Sequence, residues 1–425
     1  MSLPRLLAGL DPAGALPLDA HVAVHGELPP STAGRRQDAP ALIEELGRSG
    51  LSGRGGAGFP TAQKLGAVLA ARGRPVIVVN GCEGEPASEK DRLLLERTPH
   101  LVIDGAVACA RAVDADQIIF AVDADAPTAR WAVQAALAER PDTGRRGLDT
   151  TVVAIPPGYV SGQESAIVNF VNRGIPKPTA VPPMVFERGV GRRPTLVNNA
   201  ETVAQVGLIA RCGADWFRRL GTQDQPGSAL VTLTGAIAEP GVFEIEYGST
   251  LDSLIAAAGG TVSPIRAVLL GGYGGTWVDS AGAIGLRLAA EPLRVVGASL
   301  GPGVIIALPE SACPVAETVR VATWLAGESA GQCGPCVHGL AAIARTLADV
   351  ADGRGGPEAG GRLGRWAELV TRRGACAHPD GVARFVASAL RVFADEFADH
   401  AHYGRCTACA RRPVLRLPER FALAG

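Results

Sequence analysis

Lysine is almost missing from this sequence. Of 41 basic side chains only Lys64, Lys90 and Lys177 are lysine. Arginine therefore does nearly all of the ordinary charged work, and a retained lysine reads as a position that needs a compact ammonium. Net charge is equally scarce, at −1, which argues against nucleic acid as the main partner. Long apolar runs are also lacking. The longest uncharged one, residues 295–309, is short and broken by glycine and proline, so no direct membrane span is expected. The first 18 residues hold no apolar block of the kind a secretory signal needs. What is present suits packed cores: 47% of residues are apolar and 20% charged, which excludes disorder of the chain as a whole. A chain of 425 residues is expected to form two to four domains.

The stretch SGRGGAGFPTAQKL, residues 52–65, holds Gly53, Gly55, Gly56 and Gly58 ahead of a helix-like run with Lys64. Glycines allow positive φ and close approach of backbone to a ligand. Consecutive amide N–H groups opening onto a helix start favour an anion, and Lys64 adds a point charge suited to phosphate. The spacing matches neither G-x-x-x-x-G-K-[ST] nor G-x-G-x-x-G with a following acidic residue. The alternative is an ordinary flexible loop.

Around it the chain alternates short β-branched runs with helical stretches. Strands are expected over 74–80, 117–122 and 151–155, and helices over 40–49, 99–112 and 128–139. That alternation predicts a parallel sheet covered by helices, with functional loops beyond the strands' carboxyl ends. Two loops lie there: NGCEGE at 80–85 and PPGYVSGQE at 156–164. Their carboxylates could orient a polar ring, or simply cap helices. Asn198 and Asn199 open a further helix, where capping is the plain reading. Residues 1–40 read as an irregular arm. A β-rich unit of about 75 residues begins near Ser228, and the chain is mostly helical after Pro314.

Five of the nine cysteines crowd the last quarter: Cys333, Cys336, Cys376, Cys406 and Cys409. Without a secretory leader this reads as metal or redox chemistry rather than disulfides. C-x-x-C turns aim two thiolates at one metal or cluster. An iron–sulfur cluster and a zinc ribbon built from the pairs 333/336 and 406/409 both remain open. A thioredoxin-type dithiol is less suited to a helical setting.

In this order, SGRGGAGFPTAQK, NGCEGEPASEKDR, GYVSGQES, RRPTLVNNAETV, ESAGQCGPC and GACAHPDG resemble the flavin-binding, NADH-oxidising subunit of respiratory complex I. Close relatives of that subunit occur in NAD-linked hydrogenases and formate dehydrogenases. The resemblance covers residues 51–399. It implies an α/β fold with a parallel-sheet FMN-binding domain (41–225), then a β-grasp domain of the SLBB type (226–310), then a helical iron–sulfur domain (311–425), after the arm at 1–40. Carried over residue by residue, it implies that Gly53, Arg54, Gly55, Lys64, Asn80, Cys82, Glu83, Glu85, Tyr159, Gly162, Gln163, Glu164, Asn198, Asn199 and Thr202 border FMN. Phe59, Glu85 and Glu164 would meet NAD(H), with Glu85 and Glu164 in the catalytic positions. Cys333, Cys336 and Cys376 would bind a [4Fe–4S] cluster. The implied partner is a ferredoxin-like protein or an iron–sulfur subunit, in the cytoplasm or peripheral to a membrane complex.

The departures from that pattern fall on the chemistry. Ala330 stands where a fourth cluster cysteine is expected. Cys406 is expected to replace it, with Cys409, His378 or His338 as other candidates; three thiolates alone would hold a [3Fe–4S] cluster. Cys82 replaces an Asp and Gln163 a Glu, each removing negative charge beside the flavin. Ala67 replaces an aromatic, and Val181-Pro-Pro-Met184 replaces Lys-Pro-Pro-Phe, which depletes the nucleotide side. The leading expectation is thus an FMN- and iron–sulfur-dependent NADH dehydrogenase-type subunit. The alternatives are a ferredoxin-linked flavoprotein with a degraded nucleotide site, and a non-catalytic scaffold whose cysteines hold zinc or nothing.

Overall fold

A computed structural model describes residues 3–10, 14–29, 38–140, 148–356 and 358–418. The chain divides into two compact units: 1–84 with 89–230 and 244–248, and 85–88 with 231–243 and 249–425.

The first unit is built on a four-stranded sheet. Helices α1 (Leu18–His25), α2 (Asp38–Ser49) and α3 (Thr61–Ala70) precede β1 (Val76–Gly81). Then come α4 (Lys90–Arg97), α5 (Pro99–Val113), β2 (Gln117–Asp123), α6 (Pro127–Ala138), β3 (Asp149–Ile155), α7 (Glu164–Arg173), β4 (Thr195–Asn199) and α8 (Ala200–Phe217). All pairings are parallel, in the order β3-β2-β1-β4. Val76 sits opposite Gln117 on one side and Thr195 on the other. Helices cover both faces, so Ile118, Ile119, Phe120, Ala121 and Val122 are all buried. The chain runs outward from β1 through β2 and β3, then returns to add β4 on β1's other edge. That reversal makes a crevice beyond the carboxyl ends of β1 and β4, where this class of sheet binds ligands.

α5 and α8 cross at two glycines. A methyl at Gly105 would overlap the Val203 carbonyl, and one at Gly207 would come within 3.0 Å of the Gly105 nitrogen. This close crossing packs α8 against α5 directly after β4, the strand whose last residues are Asn198 and Asn199. The arm expected to be irregular instead contains α1. His21 of that helix is buried, with its Nε2 2.6 Å from Asp104 Oδ2. Proline, glycine and weak periodicity hide the helix in the sequence, because this contact holds it rather than an apolar stripe.

The second unit opens with a mixed sheet, whose first two strands straddle the boundary between the units. It contains β5 (Ser228–Gly235), β6 (Gly241–Glu246), α9 (Leu251–Ala257), β7 (Ile265–Leu270), β8 (Thr276–Asp279), α10 (Ser280–Ala283), α11 (Ala290–Val295) and β9 (Val304–Pro309). The strand order is β6-β5-β9-β7-β8, with β5 parallel and β7 antiparallel to β9. A helical layer follows: α12 (Pro314–Gly327), α13 (Ala341–Ala351), α14 (Ala359–Val370), α15 (His378–Val392) and α16 (Ala394–Tyr403). Its core of Trp324, Leu340, Leu347, Leu363, Phe385 and Phe393 is buried. Trp277 of β8 meets Phe393 edge-on at 5.3 Å, and its backbone N–H donates to Ser388 Oγ at 3.0 Å. No described helix is long and apolar enough to cross a membrane.

Candidate functional site

The glycine turn is closed at its base. Gly53 N–H donates to the Phe59 carbonyl at 2.8 Å, and Thr61 N–H to the Leu51 carbonyl at 3.0 Å. Arg54 N–H donates to Thr202 Oγ1 at 2.8 Å, tying the turn to α8. The amides of Gly55, Gly56, Ala57 and Gly58 make no short, well-aligned hydrogen bond among the described residues, although residues 54–57 form a hydrogen-bonded turn. Gly56 and Gly58 have φ of 105° and 62°, which an L side chain rarely adopts. The turn therefore presents a run of exposed, weakly engaged amides, the arrangement that suits an anion. Phe59, on the same loop, is 53% exposed.

Lys64 follows on α3. Its Nζ donates to Glu164 Oε2 at 3.1 Å and to the Val197 carbonyl, so the ammonium is held between α7 and β4. Arg54 does not present its charge in this way. Its buried guanidinium donates to the Ser52 and Ser228 carbonyls, each at 3.1 Å, and lies over Tyr247 at 4.8 Å. It braces the turn from behind.

The crevice beyond β1 and β4 is lined by polar groups with known commitments. Asn80 Nδ2 donates to the Gly162 carbonyl at 2.8 Å, and its Oδ1 accepts from Cys82 N–H at 3.1 Å. This joins the loops after β1 and β3. Gly162 packs on Cys82, where a Cβ would lie 3.1 Å from the Cys82 carbonyl oxygen. Cys82 is buried, and burial together with Asp123, Asp91 and Glu83 pushes its thiol well up, so it is a neutral group. Gln163 Oε1 accepts from Ser165 Oγ at 3.1 Å, and Tyr159 is half-buried.

Two of the expected cofactor residues also support the local structure. Glu83 accepts from the N–H groups of Asp91 and Arg92 at 3.0 and 2.9 Å, and so caps α4. Asn199 accepts from the N–H groups of Glu201 and Thr202 and donates to Asp91 Oδ2 at 2.6 Å, capping α8. Its neighbour is different. Asn198 is buried, and its Nδ2 has no hydrogen-bond partner among the described residues. A buried amide without an acceptor costs free energy until a ligand supplies one.

Beneath this crevice lies a group that motif reading passes over. Lys90 is fully buried, with Nζ 2.8 Å from Glu201 Oε2 and 3.1 Å from Asp91 Oδ2. Burial alone would lower its pKa, but the attraction of Asp91 and Glu201 outweighs it and raises it. The near-absence of lysine is the sequence signal that marks this position.

In the second unit, Glu85 is buried. Its Oε2 accepts from Tyr273 N–H at 2.8 Å, while its Oε1 has no hydrogen-bond partner among the described residues. Burial, partly offset by that N–H and by the one of Ala87, raises its pKa to about 8. Gly272, at φ 73°, makes room for the carboxylate.

Cys336 lies buried in a π-helical turn, Pro335–Leu340, that leads into α13. Burial and the nearby thiols of Cys333 and Cys376, partly offset by a hydrogen bond from Ser329, push Cys336 up to about 12. Cys376, just ahead of α15, takes a backbone hydrogen bond from His378. The three cysteines thus lie within mutual influence. Three thiols brought together in this way are the kind of ligand set that holds an iron–sulfur cluster. The ring of His378 is engaged at Nε2 by the Leu325 carbonyl, 2.8 Å away. Cys406 does not join this set. Its Sγ lies 3.7 Å from that of Cys409, in a group completed by Cys313 and His400. The expectation that Cys406 replaces the cysteine missing at Ala330 is therefore corrected: the chain after α16 carries it to the start of α12.

Comparison with known proteins agrees with this layout. The Nuo51 FMN-binding domain family matches residues 46–208, the SLBB domain family 230–268, and the NADH-ubiquinone oxidoreductase-F iron-sulfur binding region 316–400. The second F-type subunit of NADH-quinone oxidoreductase of Rhizobium meliloti is 31% identical, over 86% of this chain and 90% of that protein. NADP-reducing hydrogenase subunit HndC of Solidesulfovibrio fructosivorans is 27% identical, over 86% and 77%. A chain of the NAD+-reducing [NiFe]-hydrogenase in the H2-reduced state superposes with a TM-score of 0.80 at 29% identity. That match covers 87% of this chain, which spans 64% of the hydrogenase chain's length.

Proposed function

The chain belongs to the family of F-type subunits of NADH-quinone oxidoreductase, and from that premise we propose how its residues serve an FMN- and iron–sulfur-dependent oxidoreductase of the NADH dehydrogenase type. The observation that carries the reading is the buried, unpaired Asn198 amide at the end of β4, one strand from Asn80. When bound, FMN and an iron–sulfur cluster supply what side chains cannot: acceptance of an electron pair and its release one electron at a time.

The chain's own residues bind and orient. The exposed amides from Gly55 to Gly58 would hold the phosphate, and Lys64, aimed by Glu164 and the Val197 carbonyl, would balance its charge. Asn198 would donate its buried Nδ2 N–H to an acceptor on the cofactor. Asn80, Gly162 and Cys82 shape the wall, and the small uncharged contact at Cys82 leaves the pocket less negative than a carboxylate would. Glu85, protonated below pH about 8, would be a neutral carboxyl able to give up or take back a proton near neutral pH. Phe59 offers an exposed ring face for a nicotinamide nucleotide. Cys333, Cys336 and Cys376 supply three thiolates to the cluster, of the [4Fe–4S] type with one iron held otherwise, or of the [3Fe–4S] type. A redox partner subunit takes the electrons.

A second reading keeps FMN but replaces the nucleotide with a reduced ferredoxin-like protein. It is favoured by Ala67 and by Val181 and Met184, the latter two about half-exposed, at positions that would otherwise carry stacking rings and a positive charge. Anaerobic addition of NADH or NADPH to the flavin-loaded chain decides between them. Bleaching of the flavin band by the nucleotide supports the first reading. A band that fades only with reduced ferredoxin supports the second.

A further inference from the structure

The helical layer contains a second group of metal-ligating side chains, separate from Cys333, Cys336 and Cys376. Four residues from two distant stretches converge there. Cys313 is buried as the N-cap of α12, where its Sγ accepts from Ala316 N–H at 3.3 Å. His400 is buried near the end of α16. Cys406 and Cys409 lie on a single 3-10 turn, the first as N-cap of Thr407–Ala410 and the second within it. Cys409 Sγ lies 3.5 Å from Cys313 Sγ and 3.7 Å from Cys406 Sγ. His400 Nε2 lies 3.4 Å from Cys313 Sγ and 4.0 Å from Cys409 Sγ. All four ligand atoms lie within 4.8 Å of one another, and among the described residues no other group of three or more His, Cys, Asp or Glu side chains does so.

These separations are the edges of a small tetrahedron. Zn–S bonds of about 2.3 Å and a Zn–N bond of about 2.0 Å at tetrahedral angles give S···S edges near 3.8 Å and S···N edges near 3.5 Å. A disulfide is absent, because bonded sulfurs lie about 2.05 Å apart and all of these cysteines are free. A cubane cluster spreads its ligands over separate metal corners and would hold them further apart than this.

The surroundings orient the ligands. His400 Nδ1 lies 3.3 Å from the Ala351 carbonyl, which can only accept, so Nδ1 carries the proton and Nε2 faces the thiols with its lone pair. Arg405, next to Cys406, donates to Asp352 Oδ1 at 2.6 Å. Gly404 (φ 76°) and Gly353 pack so closely that a Cβ on Gly353 would lie 3.1 Å from Gly404 Cα. The end of α13 thus fixes both the histidine and the turn.

We infer that Cys313, His400, Cys406 and Cys409 form a structural zinc site. Four protein ligands close the coordination sphere and leave no position for a substrate, so the ion's role is to hold chain to chain. What it holds is the strap that follows. Val414 N–H donates to Glu317 Oε1 at 2.7 Å, Leu415 is fully buried, and Tyr273 Oη donates to the Arg416 carbonyl. The site anchors this strap at its start to α12, the helix along which it then runs.

The test is metal analysis of the full chain purified anaerobically with its flavin and iron, from cells supplied with zinc. One zinc per chain is expected besides the iron, with an X-ray absorption first shell of three sulfurs and one nitrogen. C406S/C409S should lose the zinc and keep iron and flavin, whereas C333S/C336S should lose iron and keep zinc. Absence of zinc from the wild type, iron in place of zinc at these four ligands, an oxygen-rich zinc shell, or zinc retained in C406S/C409S would each overturn the assignment. The absorption shell of the wild type decides even if neither variant folds, and the zinc count does not depend on flavin binding.

Discussion

Lys90 Nζ and Glu201 Oε2 face each other at 2.8 Å with both side chains almost wholly shielded from water. The pair joins α4 to α8, and Glu201 Oε1 also accepts from Leu230 N–H at 2.9 Å. Arg54 Nε lies 3.7 Å from that same oxygen, so the glycine turn rests on this ion pair too. Lys90→Met leaves Asp91 and Glu201 buried without their counter-charge and should lower unfolding free energy by about 3–5 kcal/mol. K90M/E201Q should recover part of that loss, because two neutral groups replace an unpaired charge. Denaturant unfolding of the single and double variants checks this. A Lys90→Met protein within about 1 kcal/mol of wild type would show that the pair does not bear on stability.

Glu85 sets a pH dependence with a definite sign. Its pKa rises from 4.5 to about 8 on folding. Below the lower value both states hold the proton. Between the two values only the folded state does, so stability falls as pH rises, by at most about 1.4 kcal/mol per unit, and levels off above the upper value. Glu85→Gln should remove that slope. Thermal unfolding of flavin-free wild type and E85Q from about pH 5 to about pH 9 measures the difference. Parallel profiles would contradict the protonated carboxyl.

The uncharged groups at Cys82 and Gln163 should hold the flavin potential up. A reduced flavin gains electron density, which nearby carboxylates oppose. C82D/Q163E should therefore shift the midpoint downward by about 30 mV for each 1.4 kcal/mol of added repulsion. Spectroelectrochemical titration reads the shift directly. An unchanged or higher midpoint in the double variant would reject the argument.

Much of the first unit is legible in the sequence because its signals are local. Buried parallel strands read as short β-branched runs, and the glycine turn announces itself by composition. The ends of these elements fall within two residues of expectation for β2 and α5. Helix α1 is not legible, since a buried His21–Asp104 contact holds it rather than periodicity. Site roles are harder to read, because the same residue types cap helices and bind ligands. Glu83 and Asn199 each accept from helix-start N–H groups, while Asn198 beside them has a buried donor without a partner among the described residues. The grouping of Cys406 with Cys313 depends on how α12 and α16 pack, and no spacing along the chain reports that.

Lys64 and Asn198 should share the work of holding the flavin. Lys64→Met removes the ammonium between Glu164 and the Val197 carbonyl and should weaken FMN binding about tenfold or more, a change of at least about 1.4 kcal/mol. Asn198→Ala should weaken it without affecting stability much, since its Nδ2 has no partner to lose among the described residues. Fluorescence titration of the flavin-free variants checks both. Equal affinity in all three proteins would move the site elsewhere.

The most direct measurement is flavin stoichiometry on anaerobically prepared protein, followed by titration of the stripped chain with FMN. One FMN per chain, released as the mononucleotide and taken up again with quenched fluorescence, is the expected result. A chain that carries no flavin and binds none when offered it would contradict the assignment of the glycine turn and the β1–β4 crevice to this cofactor.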